Sequence, residues 1–67
     1  MHTQSLIVEA IAYDESNHLL RARYRGTGHT VVYEGVPQEI YDSLLFADSI
    51  GRFLRDHIEG RFPVRRN

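Results

Sequence analysis

Sixty-seven residues allow one domain, and a chain this short buries only about 60% of the surface it exposes when unfolded. It has no cysteine, so disulfides, thiolate zinc sites and a cysteine nucleophile are excluded. Eight arginines stand against nine acids with no lysine, a balance that argues against strong nonspecific attraction to phosphate while allowing a local basic patch.

The start, MHTQSLIVEA, lacks the basic segment and long apolar run of a signal peptide. No stretch approaches the ~20 apolar residues of a membrane helix, so a cytoplasmic protein without membrane contact is expected. One domain is expected over 1–67, with frayed ends near 1–4 and 63–67, because PVRRN offers nothing to pack.

Alternation predicts a first strand over about 6–13, with Ile11 and Tyr13 on one face and Ala10 and Ala12 on the other. DESNH, 14–18, is a polar turn. A second strand follows over 19–25, then a GTG turn and a third strand over 30–34. Pairing Tyr13 with Leu20 and Ile11 with Ala22 leaves Glu9 pointing inward unless a bulge near Glu9 and Ala10 turns it out and brings Val8 in. With Thr27-Gly28 as the tip, Tyr24 pairs with Val31, Ala22 with Tyr33, Arg23 with Val32 and Arg21 with Glu34.

After Gly35 the period changes. Pro37 suits a helix's first turn, and Ile40, Tyr41, Leu44 and Leu45 recur at helical spacing over 37–46. Asp48-Ser49 ends that helix and caps another over 49–59, with Ile50, Phe53, Leu54, His57 and Ile58 on one face. Arg52 with Asp56 and Arg55 with Glu59 pair on its other face, and Gly60 stops it. The expected fold is α+β: a three-stranded antiparallel β-meander followed by two α-helices packed on one sheet face. Tyr24, Val31, Tyr33, Leu44, Phe53, Leu54 and Ile58 should be mostly buried.

The segments S..V..IAYD at 5–14, L.A.Y at 20–24, G..V.YEGVP at 28–37 and Y..LL.A.SIG.F at 41–53, then Ile58 and Phe62, resemble the KTSC domain. That family is a module of about this length found alone in bacterial proteins and at the C-terminus of some lysyl-tRNA synthetases. The family's Tyr-x-Tyr pattern appears here as Val31-Val32-Tyr33, and the asparagine that often follows its late aromatic is replaced near Arg55. Attachment to a tRNA-charging enzyme suggests RNA as a partner.

Arg21, Arg23 and Arg25 alternate along the second strand and form a column that offers planar donor forks to phosphate, with His29 beside its loop. A solvated strand face explains the same alternation. Ser49, Gly51 and Arg52 open the second helix, where backbone N–H groups favour an anion, although Gly51 also suits close helix packing. Tyr13, Tyr24 and Tyr33 fall on the helix-covered face and read as core. His57 reads as a half-buried edge residue.

Asp14, Glu15 and His18 read as turn-formers rather than metal ligands. No cofactor or catalytic motif is found, so a non-enzymatic binding module is expected. Its expected partner is RNA or another single-stranded nucleic acid. The alternative is a protein or a second copy, met by the same open face with Ala10, Ala12 and Val32 between the arginines.

Overall fold

The computed structural model describes residues 8–26 and 28–65. Leu6 and Ile7 of the expected first strand, the expected frayed stretch 1–4, the proposed turn residue Thr27 and residues 66–67 lie outside the described residues. Strands β1 (Val8–Asp14), β2 (Leu19–Tyr24) and β3 (Thr30–Glu34) precede helices α1 (Gln38–Leu45) and α2 (Ile50–Phe53). Helix α2 continues directly into a π-helical turn, Leu54–Ile58, and a two-residue strand β4 (Val64–Arg65) closes the order. The sheet is antiparallel throughout, in spatial order β1-β2-β3-β4. The α+β fold of a meander followed by two helices is therefore present, with β4 added to its edge.

Local chemistry explains the first hairpin. Asp14 accepts from the amides of Ser16 at 3.1 Å and Asn17 at 3.3 Å, while Asn17 Nδ2 donates to its other oxygen at 2.9 Å. These bonds, the Asn17 side chain foremost, hold the Asp14 carboxyl below its ordinary pKa. The turn delivers Tyr13 opposite Leu20 and Ile11 opposite Ala22, as the alternation predicts. Pairing is interrupted between Val8 and Ala10, with Val8 opposite Tyr24 and packed on the core. That is the expected bulge, and it leaves Glu9 exposed.

The second hairpin is offset from expectation by two residues. Leu20 faces Tyr33, Arg21 faces Val32, Ala22 faces Val31 and Arg23 faces Thr30. The turn closes earlier than Thr27-Gly28: the Tyr24 amide donates to the His29 carbonyl at 3.0 Å, and the Gly28 amide to the Tyr24 carbonyl at 3.2 Å. Gly26 and Gly28 both take positive φ, 93° and 72°, a conformation glycine adopts without Cβ strain. Glu34 consequently faces Leu19 and not Arg21.

Leu20, Ala22 and Tyr33 from the sheet meet Val36, Leu44, Leu54 and Ile58 in one buried cluster, so both helices cover the same sheet face. Tyr24, Val31 and Phe53 are half-buried at its margin. Val36 enters the core from the segment before α1. Its amide donates to the His18 carbonyl at 3.0 Å and its carbonyl accepts the Tyr13 hydroxyl at 2.5 Å. The Tyr13 ring also stacks on Tyr41, with centroids 4.6 Å apart and planes at 12°.

The helices depart from the expected stripe in three places. Leu45 is exposed, because Leu44 alone of that adjacent pair reaches the core. His57 is exposed and not half-buried: the Glu59 amide bonds to the Leu54 carbonyl, five residues back, at 2.7 Å. That wide turn keeps Ile58 on the core and swings His57 away, leaving its ring 4.6 Å from the Phe53 ring. Glu59 has already left the helix, with ψ at 132°, so Arg55 pairs with Asp56 at 3.5 Å instead of with Glu59.

Of the stretch 63–67 expected to fray, residues 63–65 are described, and they bond to β3. Val64 pairs with Tyr33 and Arg65 with Val32, and the Pro63 carbonyl accepts the Glu34 amide at 2.8 Å. The otherwise open edge of β3 gives this short tail its partners.

Candidate nucleic-acid interface

The face of the sheet away from the helices carries Ala10 and Ala12 of β1, Arg21 and Arg23 of β2, Thr30 and Val32 of β3, and Arg65 of β4. Its rows follow from the pairing. Ala12, Arg21, Val32 and Arg65 lie across one row, and Ala10, Arg23 and Thr30 across another. Arg21 and Arg23 are separated by two residues, roughly 6.6 Å along the strand. Arg25 lies beyond the end of β2, in the turn, and His29 is exposed on the turn's other limb.

The arginines differ electrostatically. Arg23 Nε sits 3.6 Å from Glu9 Oε2, the contact that the β1 bulge makes available. Arg65 Nε lies 2.8 Å from Glu34 Oε2, so Arg65 takes the glutamate that the pairing argument assigned to Arg21. Arg21 makes no ion pair among the described residues, although its charge is felt by the Asp14 carboxylate. Three guanidinium groups thus share the strand face with two carboxylates.

Val32 is only 4% exposed although it lies on this helix-free face. Arg21 and Arg65 flank it, and arginine stems cover apolar surface while their charged heads stay in water. The apolar ground expected between the arginines is reduced to Ala10 and Ala12, both exposed. Arg65, missed by the sequence reading, replaces that ground with charge.

Ser49, Gly51 and Arg52 belong to the other side of the sheet, with the helices. Ser49 Oγ accepts the Arg52 amide at 3.3 Å, which makes it the N-cap that the sequence implies. The Arg52 side chain pairs with Asp56 at 3.6 Å. Ser49, Arg52 and Asp56 border an open cleft of about 260 Å³ whose floor and rim also include Ala47, Asp48, Phe53 and His57. The seven residues singled out in the sequence therefore form two separate surfaces, not one.

No group of three histidine, aspartate or glutamate side chains is placed to hold a metal ion among the described residues. Nor is any helix among them long and apolar enough to cross a membrane.

The chain matches the KTSC domain family model over residues 4–62. A protein of Tsukamurella paurometabola is 41% identical over 59 residues, covering 88% of this chain and 87% of that one. The crystal structure of a KTSC domain protein from Yersinia pestis superposes with a TM-score of 0.83 at 35% identity, covering 90% of this chain and 83% of the other.

Proposed function

The chain belongs to the KTSC domain family, and from that premise we propose that it is a small non-catalytic binding module that meets RNA, or another single-stranded nucleic acid, on its helix-free sheet face. The observation that carries the reading is the shared exposure of Arg21, Arg23 and Arg65 on that face, with Arg25 at its end. Guanidinium forks engage phosphate oxygens in pairs, and flat neighbours such as Ala10 and Ala12 let a backbone approach. Phosphates must compete with Glu9 and Glu34, so binding is weak and strongly salt-dependent. With both relatives bacterial, the proposed setting is the cytoplasm of a bacterium. Ser49, Gly51 and Arg52 take no part in this contact, because the sheet stands between them and the arginine face and Asp48 and Asp56 lie beside Arg52.

A titration of the labelled domain with a mixed pool of short RNA and DNA oligomers, followed by NMR, tests this. Amide shifts are expected along β2 and β3 and around His29. Replacing Arg21, Arg23 and Arg25 together by alanine should weaken binding for every sequence and flatten the salt slope by about 0.7–0.9 per lost phosphate contact. Absence of shifts at low salt, where attraction is greatest, ends the nucleic-acid reading.

The mixed charge of the face favours a second reading, a protein or a second copy docked on the same strands. Arg23 and Arg65 are already paired with carboxylates, which suits a partner bearing both signs. Binding that holds its strength as salt rises selects this reading.

A further inference from the structure

Phe46 is 87% exposed, the most exposed large apolar side chain among the described residues, and its neighbour Leu45 is 51% exposed. Leaving a phenylalanine ring in water forfeits a large hydrophobic gain in a domain whose core is thin. The next residue, Ala47, borders the cleft described above, in which the Phe53 and His57 rings form an aromatic wall. The cleft's ~260 Å³ is larger than the roughly 150 Å³ of a cavity that accepts benzene, and, open to solvent with Asp48, Ser49, Arg52 and Asp56 on its rim, it gives a ring room against that aromatic wall.

A projecting ring and a ring-sized cleft thus lie side by side on one small patch. That is the arrangement a twofold contact requires, since each copy must present both halves of the fit. The charges at the rim agree. Arg52 and Asp56 pair within the chain at 3.6 Å while their side chains remain 70% and 46% exposed, so the same two groups can exchange partners across a twofold axis. Asp48 and Asp56 border the cleft against one arginine, which disfavours a nucleic-acid backbone there.

We propose that a second copy of this chain occupies the cleft: Phe46 of each copy inserts between Ala47, Phe53 and His57 of the other, and Arg52 of each meets Asp56 of the other. The patch is small, so the dimer is transient, with dissociation in the range of about 0.1–1 mM. The surface lies on the helix side of the sheet and stands independently of the arginine face.

Sedimentation equilibrium and NMR over a concentration series up to about 1 mM test the proposal. The weight-average mass should rise from 7.8 kDa toward twice that value, with the Phe46, Phe53 and His57 ring signals moving in step. Phe46→Ala should abolish both changes while leaving the thermal melt in place, because the side chain is exposed. Arg52→Asp and Asp56→Arg should each stay monomeric alone, and an equimolar mixture of the two should associate. A monomer at the highest concentration overturns the proposal. So does association that survives Phe46→Ala, or a charge-swapped mixture that remains monomeric.

Discussion

Leu54→Ala is the substitution that most directly tests how this core holds the fold. Leu54 is 1% exposed, so the three carbons removed are all lost from a buried site. At about 0.8 kcal/mol per buried methylene the transfer loss is about 2.4 kcal/mol, and the void left behind adds about 1–2 kcal/mol. A chain of 67 residues has a total stability of about 3–10 kcal/mol, so one substitution removes a large share of it. In urea melts with a slope near 1 kcal/mol per molar, the midpoint should fall by about 3.4–4.4 M. Should that variant prove unfolded, Ile58→Val provides a milder test: Ile58 is fully buried, and about 1 kcal/mol should be lost. Arg23→Ala is the control. Its ion pair with Glu9 is 3.6 Å long and largely solvated, so the change should stay within about 0.5 kcal/mol. The half-buried Phe53, changed to alanine, should cost less than Leu54→Ala. If Arg23→Ala destabilised more than Ile58→Val, the assignment of the two sheet faces would be refuted.

Tyr13→Phe deletes the donor to the Val36 carbonyl while keeping the stack on Tyr41, and should cost about 1–2 kcal/mol in the same melts. Burial, together with the Tyr24 hydroxyl at 3.0 Å, pushes the Tyr33 phenol far above its ordinary pKa of 10. The fold thus favours the neutral phenol: this contribution is fully present below pH 10 and is lost as pH rises beyond it, because the unfolded chain ionises first. Thermal melts from about pH 9 to 11 should show that decline, with a smaller slope in Tyr33→Phe. Deleting residues 64–67 removes the partners of Val32 and Tyr33, and hydrogen exchange should accelerate at β3 amides while the β1–β2 ladder keeps its protection.

The parts of this fold that were legible in the sequence are those a face must satisfy. The bulge at Val8–Ala10 follows from keeping Glu9 out of an apolar layer, and the Ser49 cap from a hydroxyl placed before an apolar stripe. The β2–β3 register did not follow, since a slip of two residues returns every side chain to the same face and leaves hydrophobic pattern unable to choose. Gly26 and Gly28 both permit positive φ, so glycine placement did not choose either. A two-residue strand such as β4 carries no period, and the Leu54–Ile58 π turn differs from an α turn in hydrogen bonding rather than in residue type. At the candidate interface, the column of Arg21 and Arg23 was readable from alternation alone. The burial of Val32 was not, because it depends on Arg65, a neighbour supplied by the tail.

The bulge in β1 bears on how copies of this domain meet at high concentration. A strand at the edge of a sheet offers a row of backbone donors and acceptors to any passing strand, and regular edges are where sheets extend from molecule to molecule. Here the bulge between Val8 and Ala10 breaks the two-residue repeat, so among the described residues an incoming strand could hold register only along 10–14. At the opposite edge, β4 is only two residues long and presents a shorter template still. Along the described residues both edges therefore offer sheet extension little length in register, and recognition between copies is left to side chains.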